Sequence, residues 1–426
     1  MKHRSLAAVF AGFVAFLLAL ALIIYFDPFK GILDKVFVLQ EEPPLSNVEY
    51  TSLWHNEEET AELPQLKAMT DRYFECFYSA LGDREFEGER VMESFFVDSC
   101  PDSVYDLAAL SSCACRLSSS NIDLTLTGVR VHIWLSSVIK INKDGYIFTL
   151  KQSAELTHKA LKGIGSGEGI YSHTFIYERI GGNWYLTSHE TDGGAWKYAA
   201  NAMNELCGSS NPSYSALYNS YPVFLRQLDK NAKSNAELIR TSGYDSAFPS
   251  VEIEYNRDAA AEYAVRWSSV LSESRNTEVW DDYDNDSGNF ISQCIYSGVK
   301  QMDTRGNYIW KWFDGNVNYN EENKGCSMSW TEGDNFWLYC TGNDRRGLCT
   351  YTDIAGGQLE KGDIVQLLTS DSVDSQVIIT DVVTDINGRK LDFLVSGHDS
   401  DLVSYPLSAL HCSEMRFIKI LGYNED

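Results

Sequence analysis

A chain of 426 residues, 44% hydrophobic and 13% aromatic, is long enough for two or three domains with proper cores and too apolar to be disordered. The formal net charge of −25 excludes nucleic acid as a natural partner, because phosphate would be repelled, and argues against tight docking of the soluble part on an anionic membrane surface. The ten cysteines permit disulfides outside the membrane, with buried free thiols as the other reading. Cys113 and Cys115 stand too close for the usual zinc spacing and no Cys-x-x-Cys pair occurs, so neither a structural metal nor a cofactor is expected.

Lys2, His3 and Arg4 precede an uncharged, mostly apolar run from Ser5 to Phe26. About twenty apolar residues suffice to span a bilayer as a helix, and the basic flank predicts a cytoplasmic N-terminus with the remainder outside. A cleaved signal peptide has similar ingredients. The length of the run, with its small residues inside it and not at its end, favours an uncleaved anchor over 5–26. Residues 27–63 carry Pro28, Pro43, Pro44 and the run Glu57 to Glu59, and read as a spacer with a solvated acidic face.

Pro64 suits a first helical position, and Leu66, Met69, Tyr73, Phe74 and Phe77 then recur every three or four residues. From Ile122 the texture turns to strands: Val129, Val131 and Ile133 alternate, Asp144-Gly145 marks a turn, and Gly181-Gly182 separates two further β-rich runs. Helix followed by curled antiparallel sheet is an α+β plan over 64–196. In order and length it resembles the nuclear-transport-factor-like cone domains. Gly163, Gly165, Gly167 and Gly169 lack the Lys-Ser/Thr of a phosphate cradle and read as a flexible loop between strands. His173 and His189, on neighbouring predicted strands, read as partly exposed strand histidines, with a paired site as the alternative. Residues 197–250, with Leu217, Tyr221, Phe224, Leu225 and Leu228, read as a helical connector.

The remaining stretch, 251–423, carries ordered motifs. Tyr255-Asn256-Arg257-Asp258-Ala259-Ala260 opens it, and Asn285-Asp286-Ser287-Gly288-Asn289-Phe290-Ile291-Ser292-Gln293 follows at the entry of a predicted helix. Next come the aromatic cluster Tyr308 to Phe313, Ser329-Trp330, Gly362-Asp363-Ile364-Val365-Gln366, the strand Val377 to Thr380, and Val395 to Asp401. In this order, over roughly 252–421, they resemble the bacterial putative amidase domain family, which is papain-like and related to NlpC-type cell-wall peptidases. The resemblance implies an α+β papain-like domain whose nucleophile is the Cys of Asn/Gly-Asp-Cys-Thr/Ala-Asn-Phe-Val/Ile-Ser-Gln. Here Ser287 stands at that position.

Such an amidase needs a nucleophile at a helix N-terminus, a facing His, and a third polar residue that orients it. The family's base lies in Asp-His-Ser/Ala-Val/Ala-Ile-Val-Thr, and the matching segment here is Asp374 to Thr380, with Ser375 in place of His. His398 corresponds to the third position, in the pattern Tyr/Gln-His-Thr/Ser-x-Asp. Ser287, Ser375 and His398 are thus expected as a degenerate triad, since an alcohol without an adjacent base does not attack. Three alternatives stand beside this reading: His398 or His411 as a base for Ser287, Cys294 as a substitute nucleophile, and a calcium loop at Asp282, Asp284 and Asp286. The last lacks the Gly and Glu that such a loop requires. Asp286, Asn289, Gln293, Tyr308, Trp310 and Trp312 are the candidate binding residues, the aromatic members dividing between cleft and core. The functional expectation is a membrane-anchored, extracytoplasmic envelope protein whose amidase-like domain binds an envelope peptide or protein partner without cleaving it. An active cell-wall amidase or peptidase is the alternative.

Overall fold

In a computed structural model, the structure describes residues 48–56, 63–82, 92–243, 248–272, 274–304, 309–312, 326–343, 345–369 and 372–425. The expected anchor, most of the spacer with Glu57 to Glu59, and Tyr308 and Phe313 of the aromatic cluster lie outside these residues. Among the described residues no helix is long and apolar enough to cross a membrane.

Strand β1 (Glu49–Trp54) lies within the stretch read as a spacer. It pairs in parallel with β2 from Glu49 opposite Gly128 to Trp54 opposite Ile133. Tyr50 and Trp54 pack against the core on one face of this edge strand, a period-two pattern that the surrounding prolines and acids obscured. Helix α1 (Pro64–Ser79) begins with Pro64 at its first turn and buries Leu66, Tyr73, Phe74 and Phe77. Helix α2 (Pro101–Ser119) follows. Strands β2 (Leu126–Asn142), β3 (Gly145–His158), β4 (Ser166–Ile180) and β5 (Asn183–Thr191) then run antiparallel in sequence order. The chain continues through α3 (Gly194–Cys207) and the long α4 (Tyr214–Arg240), which buries Leu217, Tyr221, Phe224 and Leu228.

The second half comprises β6 (Ile253–Glu254), α5 (Arg257–Arg266), α6 (Ser287–Val299), α7 (Met328–Thr331) and α8 (Gly333–Gly342). The strands β7 (Gly347–Tyr351), β8 (Ile364–Thr369), β9 (Ser372–Thr384), β10 (Lys390–Gly397), β11 (Leu402–Pro406) and β12 (Glu414–Asn424) complete it. The architecture is α+β with a mixed sheet, ordered β1-β2-β3-β4-β11-β10-β9-β8-β12-β6, with β5 on β4 and β7 on β12. Along β8 and β9, Val365, Leu367, Val377 and Ile379 enter one core while Ile364 and Ile378 enter another with Ile418 of β12. Burial on both faces explains why these strands read as continuous apolar runs.

The two halves meet where β4 pairs with β11, Gly167 opposite Val403. Ser166 Oγ donates to the Ser404 carbonyl at 3.0 Å, and Gly169 N–H donates to the Ser400 carbonyl at 2.9 Å. Gly169 has φ +97°, and a Cβ there would lie 2.8 Å from the Gln152 carbonyl oxygen. Gly167 and Gly169 therefore belong to a strand that must lie close to its neighbours, not to a flexible loop.

Candidate functional site

Helix α6 is the element on which the site is built. Gly288, in its first turn, is required by close approach: a Cβ would stand 2.1 Å from the Thr331 carbonyl oxygen of α7. The side of α6 facing α7 is closed by directed hydrogen bonds. Trp330 Nε1 donates to Asn289 Oδ1 at 2.9 Å, and Asn289 Nδ2 donates to Asp286 Oδ1 at 2.8 Å. Ser292 Oγ donates to the Trp330 carbonyl at 2.7 Å while accepting from Trp310 Nε1 at 3.0 Å. Gln293 Oε1 accepts from the Tyr263 hydroxyl at 2.7 Å. Asp286, Asn289, Gln293 and Trp310 are thus buried members of the helix frame, and Trp312 is half-buried against Trp280. None of the five lines the large cavity described below, and Tyr308 lies outside the described residues.

His398 belongs to the same frame. It is buried, with its ring stacked on Phe290 at 3.6 Å between centroids. Its Nδ1 lies 2.5 Å from Asp286 Oδ2, and its Nε2 lies 2.7 Å from the Trp267 carbonyl oxygen. A carbonyl only accepts, so Nε2 carries a proton, while Nδ1 is held by the carboxylate. Neither nitrogen offers a lone pair to Ser287. Arg275 extends this network: its Nη1 donates to Asp401 at 2.7 Å, and its Nε lies 3.5 Å from Asp286 and 3.7 Å from Asp282. The acidic spacing that suggested calcium thus meets a guanidinium at Asp282 and Asp286.

On the other side of the α6 N-terminus, Ser287 and Ser375 do converge, on a residue that sequence reasoning did not single out. Asp399 Oδ1 accepts from the Ser287 N–H at 2.9 Å, and the Ser287 and Ser375 hydroxyls stand near enough to the same carboxylate to favour its charged form. Asp399 is itself exposed to solvent, and the hydrogen bond from the Ser287 N–H favours its charged form. A carboxylate at a helix N-terminus meets an unsatisfied N–H and the positive end of the helix dipole. The sequence held one pointer to Asp399: it occupies the Thr/Ser position directly after the His in the amidase pattern.

Ser375 and Asp399 line a cavity of about 430 Å³ together with Glu168, Ile170 and Tyr171 of β4 and with Asp192, Lys197 and His411. His411 is no surrogate base for Ser287. Its Nδ1 lies 2.9 Å from Ser112 Oγ and its Nε2 3.7 Å from Cys113 Sγ, while burial and then the Arg116 charge push its pKa down to about 3. Cys294 is fully buried in the second core, and burial drives its thiol well above the ordinary range, unlike a nucleophile. All ten cysteines are free thiols.

The histidine pair of the first half is buried, not exposed as expected. His173 Nδ1 and His189 Nε2 lie 2.9 Å apart, His189 Nδ1 lies 2.9 Å from both Asp106 oxygens, and the Tyr73 hydroxyl donates to Asp106 at 2.9 Å. Burial holds His173 well below its ordinary pKa. Aromatic rings enclose the pair on several sides, Phe175 stacking on both imidazoles and Trp196 meeting them edge-on.

No curated protein and no solved structure matches the chain. Residues 254–421, which include α6, the Ser375 strand and the His398-Asp399 segment, match the family model described as "Putative amidase domain", and this part of the chain is amidase-like.

Proposed function

We propose that the amidase-like domain binds a peptide-bearing envelope component or a protein partner without cleaving it, as part of a membrane-anchored, extracytoplasmic bacterial protein. The observation that carries this reading is Asp399 seated on the Ser287 N–H. Acyl transfer at a helix N-terminus needs a base to take the nucleophile's proton and an N–H to receive the developing oxyanion. The one carboxylate beside Ser287, Asp399, is tied to the N–H that an oxyanion would need; Ser375 supplies no base, and both nitrogens of His398 are held elsewhere. The basic residues Lys2 and Arg4 before the apolar run of 5–26 support the anchor and its orientation.

The test is hydrolysis of peptidoglycan fragments by the full chain beside a Ser287→Ala variant, with retention of the same fragments measured in parallel. The expected result is retention by both proteins and equal, background turnover. Turnover that Ser287→Ala abolishes would overturn this reading in favour of an active cell-wall amidase or peptidase.

A further inference from the structure

The cavity beside Ser375 and Asp399 has walls from both halves of the chain and a volume within the range of about 300–1,000 Å³ common to small-ligand sites. Its charge is lopsided. Glu168, Asp192, Asp284, Asp374 and Asp399 line it against one lysine, Lys197, whose Nζ already lies 3.5 Å from Asp374 Oδ1. Among the described residues no lysine or arginine reaches ion-pair distance of Glu168 or Asp399. His411 adds no countercharge, because burial and Arg116 keep it neutral.

Glu168 is held in place from behind. The Tyr78 hydroxyl donates to its Oε1 at 3.2 Å and is itself fixed by Gln152 Nε2 at 3.1 Å. Tyr405 also favours the charged form of Glu168, and Tyr171 and Tyr405 give the cavity two aromatic walls. A positioned carboxylate beside tyrosine rings is the environment that favours an organic cation. An anionic ligand would be repelled by the walls. The described acids do not converge as a set of three able to hold a metal ion.

We propose that this cavity receives a primary ammonium group carried on a peptide ligand, with Glu168 and Asp399 as its carboxylate partners. The inference rests on the non-cleaving reading above and adds the chemical class of what is bound. It also accounts for Asp399, because the carboxylate that engages the α6 N-terminus presents its remaining acceptor capacity to the cavity. The Lys197–Asp374 contact is an internal example of an ammonium held at the same wall.

Calorimetric titration of the full chain with three probes tests this: Nα-acetyl-lysine amide, its neutral norleucine counterpart, and alanyl-alanine amide with a free amino terminus. At least one amine probe is expected to bind about tenfold or more tightly than the norleucine compound, and which of the two binds distinguishes a side-chain ammonium from a terminal one. Glu168→Gln and Asp399→Asn, near-isosteric changes, are each expected to weaken that amine by about tenfold or more. A cooperative unfolding transition with a midpoint no lower than wild type establishes that both variants fold. Norleucine binding equal to the amines, amine binding unaltered in both variants, or no binding by either amine would overturn the proposal. Hydrolysis of peptide fragments would instead overturn the non-cleaving reading and leave the amine preference standing, whereas equal retention of neutral and amine-bearing peptides would overturn only the ammonium assignment.

Discussion

The two sides of α6 follow different chemical rules. Toward α7 and the tryptophans, the polar groups of Asn289, Ser292 and Gln293 have short, directed partners, and Asp286 is shared between His398 and Asn289 with Arg275 close by. Toward the cavity, Ser287 and Ser375 stand beside one carboxylate, Asp399, which accepts from the Ser287 N–H. The difference teaches that the helix entry is specified by its frame and not by its nucleophile. The negative group at the positive end of α6 is the Asp399 carboxylate.

Breaking the frame should have the largest effect. Trp330 is fully buried, lies 4.8 Å from Trp310 between ring centroids, and donates to Asn289. Trp330→Ala is expected to lower stability by about 3–5 kcal/mol, read from urea unfolding of the full chain. Asp286→Ala should follow at about 3 kcal/mol, since it leaves the buried His398 and Arg275 facing a missing carboxylate. If either variant unfolds at the wild-type urea midpoint, the frame does not hold the helix entry.

The cavity side can be sharpened by rebuilding it. Ser287→Cys with Ser375→His restores a nucleophile and a base, yet Asp399 would still engage the N–H needed by an oxyanion. The double variant should remain at background, and adding Asp399→Ser should raise hydrolysis by about a hundredfold or more, the effect expected of one oxyanion donor. Comparable activity in the double and triple variants would show that Asp399 does not block the site.

Much of this was legible in the chain because the frame is written locally. The run Asp286 to Gln293 specifies a helix entry, and the recurrence of Phe290, Ile291, Cys294 and Ile295 specifies its buried face. Ser375 was placed beside Ser287 by the amidase resemblance alone, whereas Asp399, which accepts from the Ser287 N–H and lines the same cavity as Ser375, was not singled out. What escaped depends on contacts distant in sequence. Arg275 reaches Asp401, and Glu168 lines the same cavity as Asp399 because β4 pairs with β11. No spacing rule forecasts such a pairing. Strand β1 was hidden by spacer-like composition; of the alternating glycines Gly163 and Gly165 do lie in the loop before β4, while Gly167 and Gly169 belong to the strand, because glycine at a close β junction has the same signature as glycine in a loop. His398 was assigned to the site by pattern, whereas its burial between Asp286 and the Trp267 carbonyl follows from tertiary packing.

The smallest expected effect compares the sides through pH. Burial pushes Glu168 up from 4.5 to about 6, with Tyr78 and Tyr405 opposing the rise. The folded protein then holds a proton that the unfolded chain has released, so stability falls as pH rises from about 4.5 through about 6, and the loss is complete above that window. A difference of this size corresponds to about 1–2 kcal/mol. Asp392, buried and pushed up to about 6, adds a slope of the same sign. Glu168→Gln should therefore stabilise the protein by about 1–2 kcal/mol at pH 7 and flatten, without abolishing, the decline between pH 4.5 and 6, as measured by urea unfolding across that range. The same change that stabilises the empty protein is the one expected to weaken amine binding. A cavity carboxylate kept at the expense of stability is what separates this side of α6 from the frame behind it, where removing a carboxylate unfolds the helix entry. A destabilised Glu168→Gln protein at pH 7 would erase that distinction and make Glu168 another member of the frame.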